Sequence, residues 1–159
     1  MILRVLLCLC ALLAGCADGS GTLDGSLGSV YRLGFDDVRA RLYSSELAIE
    51  YASGDGAVPV RVTLQRGALP DEPTGSSWSL VDDGDITGQL ADGTYIPRFT
   101  TGRVSIGSFE LREGSRIEGS FTGTFDLGRD SLGINGTFNV PLVLVTAPSR
   151  PEGVPIPEE

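Results

Sequence analysis

The chain has 159 residues, 21 of them acidic and 12 basic, and with no histidine its formal net charge is −9; every basic residue is arginine. A chain this acidic does not hold nucleic acid by neutralising phosphates or bind anionic lipid through charge. Lacking histidine and lysine, it also lacks the commonest general base, the commonest zinc ligand, a Ser-Lys dyad and a Schiff-base amine.

Residues 1–13 are apolar except for Arg4 and polar only at that one position. The run has the length of a secretory signal core and is too short for a comfortable membrane-spanning helix. It ends in Leu13-Ala14-Gly15-Cys16. This ending resembles the lipobox of bacterial lipoproteins. The resemblance implies that a signal peptidase reads Leu13, Ala14 and Gly15, that residues 1–15 are removed, and that Cys16 is acylated and anchors the mature chain in a membrane. Ala17 after the cysteine favours, by the same resemblance, the outer membrane of a Gram-negative envelope. Cys8 and Cys10 leave with the leader, so the mature chain has no cysteine pair for a disulfide. The partners this implies are the membrane, through the lipid on Cys16, and an envelope protein; nucleic acid is not among them.

Residues 16–21 read as the acylated cysteine and a flexible Asp-Gly-Ser-Gly tether, and residues 22–146 as one all-β domain. Within 22–33, Leu23, Leu27, Tyr31 and Leu33 share a parity, which predicts a half-buried strand. Residues 38–42 and 47–51 alternate with opposite parity on either side of Ser44-Ser45. That predicts two strands, with one amphipathic helix over 36–51 as the rival reading. Val58, Val60, Val62 and Leu64 give the clearest strand of the first half. After a Gly/Pro/Ser-rich loop, 78–81 reads as a strand, 86–90 as short and irregular, and 94–96 as extended. Val104 and Ile106 alternate, then Gly107-Ser108 shifts the parity to Phe109 and Leu111, which suggests a bulge.

The two most regular stretches follow. Ile117, Gly119, Phe121, Gly123 and Phe125 face one way, and Leu132, Ile134, Gly136, Phe138, Val140, Leu142 and Leu144 do the same after a turn. Glycines on the inward parity leave room for rings from the neighbouring strand, and Pro141 on the outward parity suggests an edge or bulge. Residues 147–159 carry four prolines and read as a disordered or extended tail.

About eight to ten short strands separated by Gly, Asp and Ser turns predict a single antiparallel β-sandwich or closed barrel. The order of phrases, including Gly102-Arg103-Val104-Ser105-Ile106, Ile117-Glu118-Gly119-Ser120-Phe121 and Ile134-Asn135-Gly136-Thr137-Phe138, is similar to small all-β bacterial lipoproteins of unknown function. That resemblance supports the fold and supplies no site.

Chemistry has few carriers here. No catalytic residue and no cofactor is expected, since the serines lack a Gly-x-Ser-x-Gly elbow and the surviving cysteine is the acylated one. A weak calcium candidate is Asp83, Asp85 and Thr87, oxygen ligands at alternate positions before Gly88, but Thr94 stands where an EF-hand has its bidentate glutamate. Trp78 and Tyr95, with Phe99 and Tyr31, are candidates for lining a ligand cleft, against the plainer reading that they fill the core. The expected function is a non-enzymatic, lipid-anchored lipoprotein acting as a binding or structural module. The alternatives are a β-barrel carrier of a small apolar ligand, which needs an internal cavity, and a carboxylate-dependent glycan hydrolase, which needs two acids in one cleft. An outer-membrane barrel is a remoter reading, because the strands are short and broken by glycine.

Overall fold

The computed structural model describes residues 19–146 except 72, so the leader, Cys16, Ala17 and the tail 147–159 lie outside the described residues. Nine strands carry the fold: β1 (Ser20–Asp24), β2 (Asp37–Leu42), β3 (Glu46–Ala52), β4 (Val58–Gln65), β5 (Ser76–Ser79), β6 (Gly84–Gln89), β7 (Phe99–Ser108), β8 (Arg116–Leu127) and β9 (Asp130–Leu144). Two short α-helices, α1 (Ser26–Tyr31) and α2 (Leu80–Asp83), and a 3-10 turn at Arg66–Ala68 interrupt them. The strands form one sheet in the order β5-β7-β8-β9-β2-β3-β4-β6, with β1 also on β9, and this sheet rolls into a nearly closed barrel. The all-β expectation holds. Among the described residues no helix is long and apolar enough to cross a membrane.

Period-two patterning explains most of the wall. Val38, Ala40 and Leu42 of β2, Leu47, Ile49 and Tyr51 of β3, and Val60, Val62 and Leu64 of β4 are in cross-strand register and all buried. Residues 36–51 are therefore two strands, closed by the bond from Tyr43 N–H to Glu46 O, and not a helix. On β8 and β9, Gly119 is paired with Phe138 and Gly136 with Phe121, so each ring lies over a strand that has no side chain to push it away. Tyr51 sits at the centre of the core. Its ring meets Phe35 edge-on at 5.1 Å and Phe121 at 5.8 Å, and its hydroxyl donates to Thr137 O at 2.7 Å. The parity shift at Gly107 is a break in the β7–β8 register between Ile106 and Ser108.

Several expectations are corrected. The sheet is not wholly antiparallel, because β2 runs parallel to β9, with Ala40 beside Leu142 and Leu42 beside Leu144. β1 takes the antiparallel place along Asn135 to Asn139, so β2 joins the same edge further on. Pro141 falls in the gap between these two partners, where a missing donor costs least. Ser20 and Gly21, expected in a flexible segment before the domain, already belong to β1.

Residues 22–33 are not one strand. Gly25, at φ 119°, turns the chain into α1, which buries Leu27, and Arg32 at φ 52° ends that helix with its N–H on Gly28 O. Leu80 and Val81 belong to α2 rather than to a strand, and 84–89 forms a true strand on β4. Residues 94–96 make only an isolated bridge from Tyr95 to Gln89. Leu144, expected inward, is exposed at the end of β9, where β2 still lies beside it but the β8 ladder has ended at Pro141.

Candidate functional site

The sheet path ends in β6 on one side and in the short β5 on the other, and β7 runs past β5 at 99–102 beside β6 with no ladder joining β6 and β7 among the described residues. The chain bridges this seam with α2, whose Leu80 is fully buried and packs towards Gly102 of β7. Ile86 of β6 reaches across to the faces of Gly102 and Gly123. Side chains, not backbone, hold the seam.

Free strand edges demand partners for their backbone groups. Here they are found locally: Ile86 N–H is bonded to Asp85 Oδ1 at 2.8 Å, Gly88 O accepts from Ile96 N–H at 3.1 Å, and Gly84 N–H is bonded to Leu80 O. A tight turn then holds the segment that crosses the seam, with Leu90 N–H on Thr94 O at 2.8 Å and Thr94 N–H on Asp92 Oδ1 at 2.9 Å. The backbone and side-chain hydrogen bonds of Thr94 hold the Asp92 carboxyl below its ordinary value.

This turn presents Tyr95, which is 64% exposed. Tyr95 stands between two surface clefts. One, of about 810 Å³, lies along the seam, with Asp85, Thr87, Arg98, Phe99 and Asp126 in its wall. The other, of about 660 Å³, runs over β3 and β4 past Glu50, Val58, Arg61 and Leu90; Thr87, Gly88 and Tyr95 line both.

The second cleft has a charged floor. Glu50 is only 3% exposed, although it points to the outer side of β3. Its Oε1 meets Arg61 Nε at 3.2 Å and its Oε2 lies 3.4 Å from Arg41 Nη1, while Arg61 also binds Glu46. Burial by itself would lower the Arg61 pKa, but the hydrogen bonds and charges of Glu46 and Glu50 outweigh it and hold the guanidinium above its ordinary value.

The four aromatic candidates separate by burial. Trp78 is buried in the core, and its Nε1–H donates to Ala68 O at 3.0 Å, so it is a packing residue. Phe99 is half-buried in the seam wall, and Tyr31 packs against the core on the far side of α1. Only Tyr95 is both exposed and at a cleft among these four. Asp83, Asp85 and Thr87 are not gathered in one loop: Asp83 ends α2, and Asp85 and Thr87 sit on β6, where Asp85 Oδ1 is already engaged by Ile86. Among the described residues no group of three His, Cys, Asp or Glu side chains converges as a metal site.

Sequence reasoning missed Asp126, Arg98 and the Glu50–Arg61 pair. Nothing local marks the first two, but charges on the outward parity of adjacent strands, Glu46 and Glu50 facing Arg61, were a readable signal. Cys16, Leu13, Ala14 and Gly15 lie outside the described residues. Comparison with known proteins adds nothing to this geometry, since no family model, curated protein or solved structure matches the chain.

Proposed function

We propose that this chain is a lipoprotein of the cell envelope, anchored through an acyl group on Cys16, whose barrel is a non-catalytic binding module. The observation that carries the binding part is the seam: an open cleft along an unpaired stretch of wall, with exposed Tyr95 at its margin and Asp85, Asp126 and Arg98 in its lining. Aromatic faces and fixed polar groups at a preformed cleft are what a non-covalent ligand site requires. The anchor rests on Leu13-Ala14-Gly15-Cys16 and on the short distance from Cys16 to β1, which leaves no room for another domain between them.

The test has two parts. Cys16→Ala is expected to move the protein from the membrane to the soluble fraction with an unchanged melting temperature; retention in the membrane would overturn the anchor. Native mass spectrometry of the full-length protein, gently extracted, is expected to show a bound molecule or protein that Tyr95→Ala removes. A ligand-free spectrum for both would overturn the binding role.

One observation favours a second reading, a carboxylate-dependent hydrolase: Asp85 and Asp126 line the same cleft. Asp85, however, already spends one oxygen on its own strand. If Asp126→Asn abolishes glycan cleavage by the purified protein, this reading replaces the first. The filled interior, with Tyr51, Phe121, Phe125 and Phe138 all buried, speaks against a carrier that holds an apolar ligand inside the barrel.

A further inference from the structure

The position of Gly19 fixes where the anchor meets the barrel. Following the β1–β9 register back from Ser20 beside Asn139 puts Gly19 beside Val140, and a Cβ on Gly19 would strike Val38 O and Val140 Cγ1. The chain therefore enters the wall at the divide where β9 changes partner from β1 to β2, and not at a rim of the barrel. Three residue steps separate Cys16 from Gly19, which is a reach of about 10–11 Å whatever path they take.

Within that reach lies the outer side of β2 and the last third of β9. Val143 is three residues along β9 from Val140, about 10 Å, on the outward parity. Val143 and Leu144 are 42% and 43% exposed, two of the few large apolar side chains that are. Two arginines and a carboxylate frame them, the carboxylate being Glu113, whose Oε2 accepts from Leu144 N–H at 2.6 Å. Arg39 points outward from β2 and is held by Asp37 at 2.9 Å. Arg116, paired with Pro141, is held along the wall by Asn139, with Nε on Oδ1 at 2.7 Å and Nη2 on the backbone O at 2.9 Å.

We infer that this wall, β2 with the end of β9, lies against the phospholipid surface in which Cys16 is anchored, so that the barrel rests on its side. The inference rests on the lipoprotein reading and deepens it. Exposed aliphatic side chains at the acyl boundary, with guanidinium groups at the level of the phosphates, are the pattern an interface takes. The chain's overall negative charge provides no general attraction, so the covalent anchor holds the protein there and the wall only sets its orientation. Counting strands around the barrel, the β9–β2 junction is three strands from the seam by way of β8 and β7 and four by way of β3, β4 and β6. The seam cleft and Tyr95 thus face away from the membrane.

The experiment places a tryptophan on each wall of the full-length protein and reconstitutes it into vesicles of phosphatidylethanolamine and phosphatidylglycerol containing brominated phosphatidylcholine. Val143→Trp is expected to be quenched several times more strongly than Tyr95→Trp, with the wild type and its buried Trp78 as baseline. Arg39→Trp repeats the measurement one strand away in case the first variant fails to fold. Equal quenching on the two walls, or stronger quenching at position 95, overturns the orientation. The mass of the extracted protein reports separately on acylation. If Cys16 carries no lipid, the lipoprotein reading falls, and a Cys8→Ser/Cys10→Ser variant, with Cys16 as its one thiol, is coupled to maleimide phosphatidylethanolamine so that the orientation is still read.

Discussion

Glycine and tyrosine carry the sharpest consequences of single residues in this barrel. A methyl group on Gly136 would sit about 2.1 Å from Cε1 of the Phe121 ring, which is itself buried and cannot yield. Gly136→Ala is therefore expected to destabilise the protein by about 1–3 kcal/mol in chemical denaturation. Gly133→Ala, three residues earlier on the same strand and with its nearest neighbour at 4.0 Å, should be neutral or slightly stabilising. Equal losses at the two positions would mean that strand glycine as such, and not the ring, sets the cost. Tyr51 makes a second case. Burial pushes its hydroxyl well above the ordinary tyrosine range, so the folded state resists ionisation that the unfolded chain permits at about pH 10. The stability this gives is complete below that pH and is lost as pH rises beyond it. Tyr51→Phe should lower stability at neutral pH by about 1 kcal/mol, through the lost bond to Thr137 O, and flatten the decline seen above about pH 10. The ring-on-glycine pairs were legible because both members sit at fixed positions in a regular repeat. The split between Trp78 and Tyr95 was not, since the Trp78 ring nitrogen finds its partner on the 3-10 turn at Ala68, ten residues away, while the Tyr95 ring stays exposed, and composition holds no trace of either.

At the level of elements, the weak point is the seam. The single turn α2 replaces a hydrogen-bonded junction with one fully buried leucine. Leu80→Ala is expected to cost about 2–5 kcal/mol and to raise amide exchange in β6 before the rest of the barrel; uniform loss of protection would show that the seam opens only with the whole fold. The ionic group on β3 and β4 makes a contrasting element. Arg61→Leu leaves Glu50 buried beside a more distant Arg41 and is expected to destabilise by about 3 kcal/mol, whereas Glu50→Leu combined with Arg61→Leu should recover much of that loss. A melting series of the three proteins decides it. Most strands were legible from parity, since β2, β8 and β9 alternate in burial, and β3 and β4, though buried on both faces over most of their length, carry their large apolar side chains at alternate positions. The two α-helices were not, for each is at most six residues long and buries one residue, Leu27 or Leu80, and one residue has no period.

For the whole molecule, the pairing that defines the barrel joins the two ends of the chain. β1 bonds only to β9, β2 reaches β9 in parallel, and β8 lies along nearly the whole length of its other side. Pairing across so many residues is invisible to local patterning, which is why an antiparallel sheet was expected and a mixed one was found. A chain ending at residue 134 is expected to lack folded structure by circular dichroism and to be cleared rapidly by protease; a stable truncated domain would show that the first eight strands hold without the last. The order of synthesis gives this arrangement a further meaning. β1 is made first and must wait for β9, the last strand, before it has a partner, so the sequence-neighbouring ladders can pair early but the barrel closes late. Closure of the barrel thus reports that the chain has been made through β9, which lets the fold itself act as a check on how much of the wall is present.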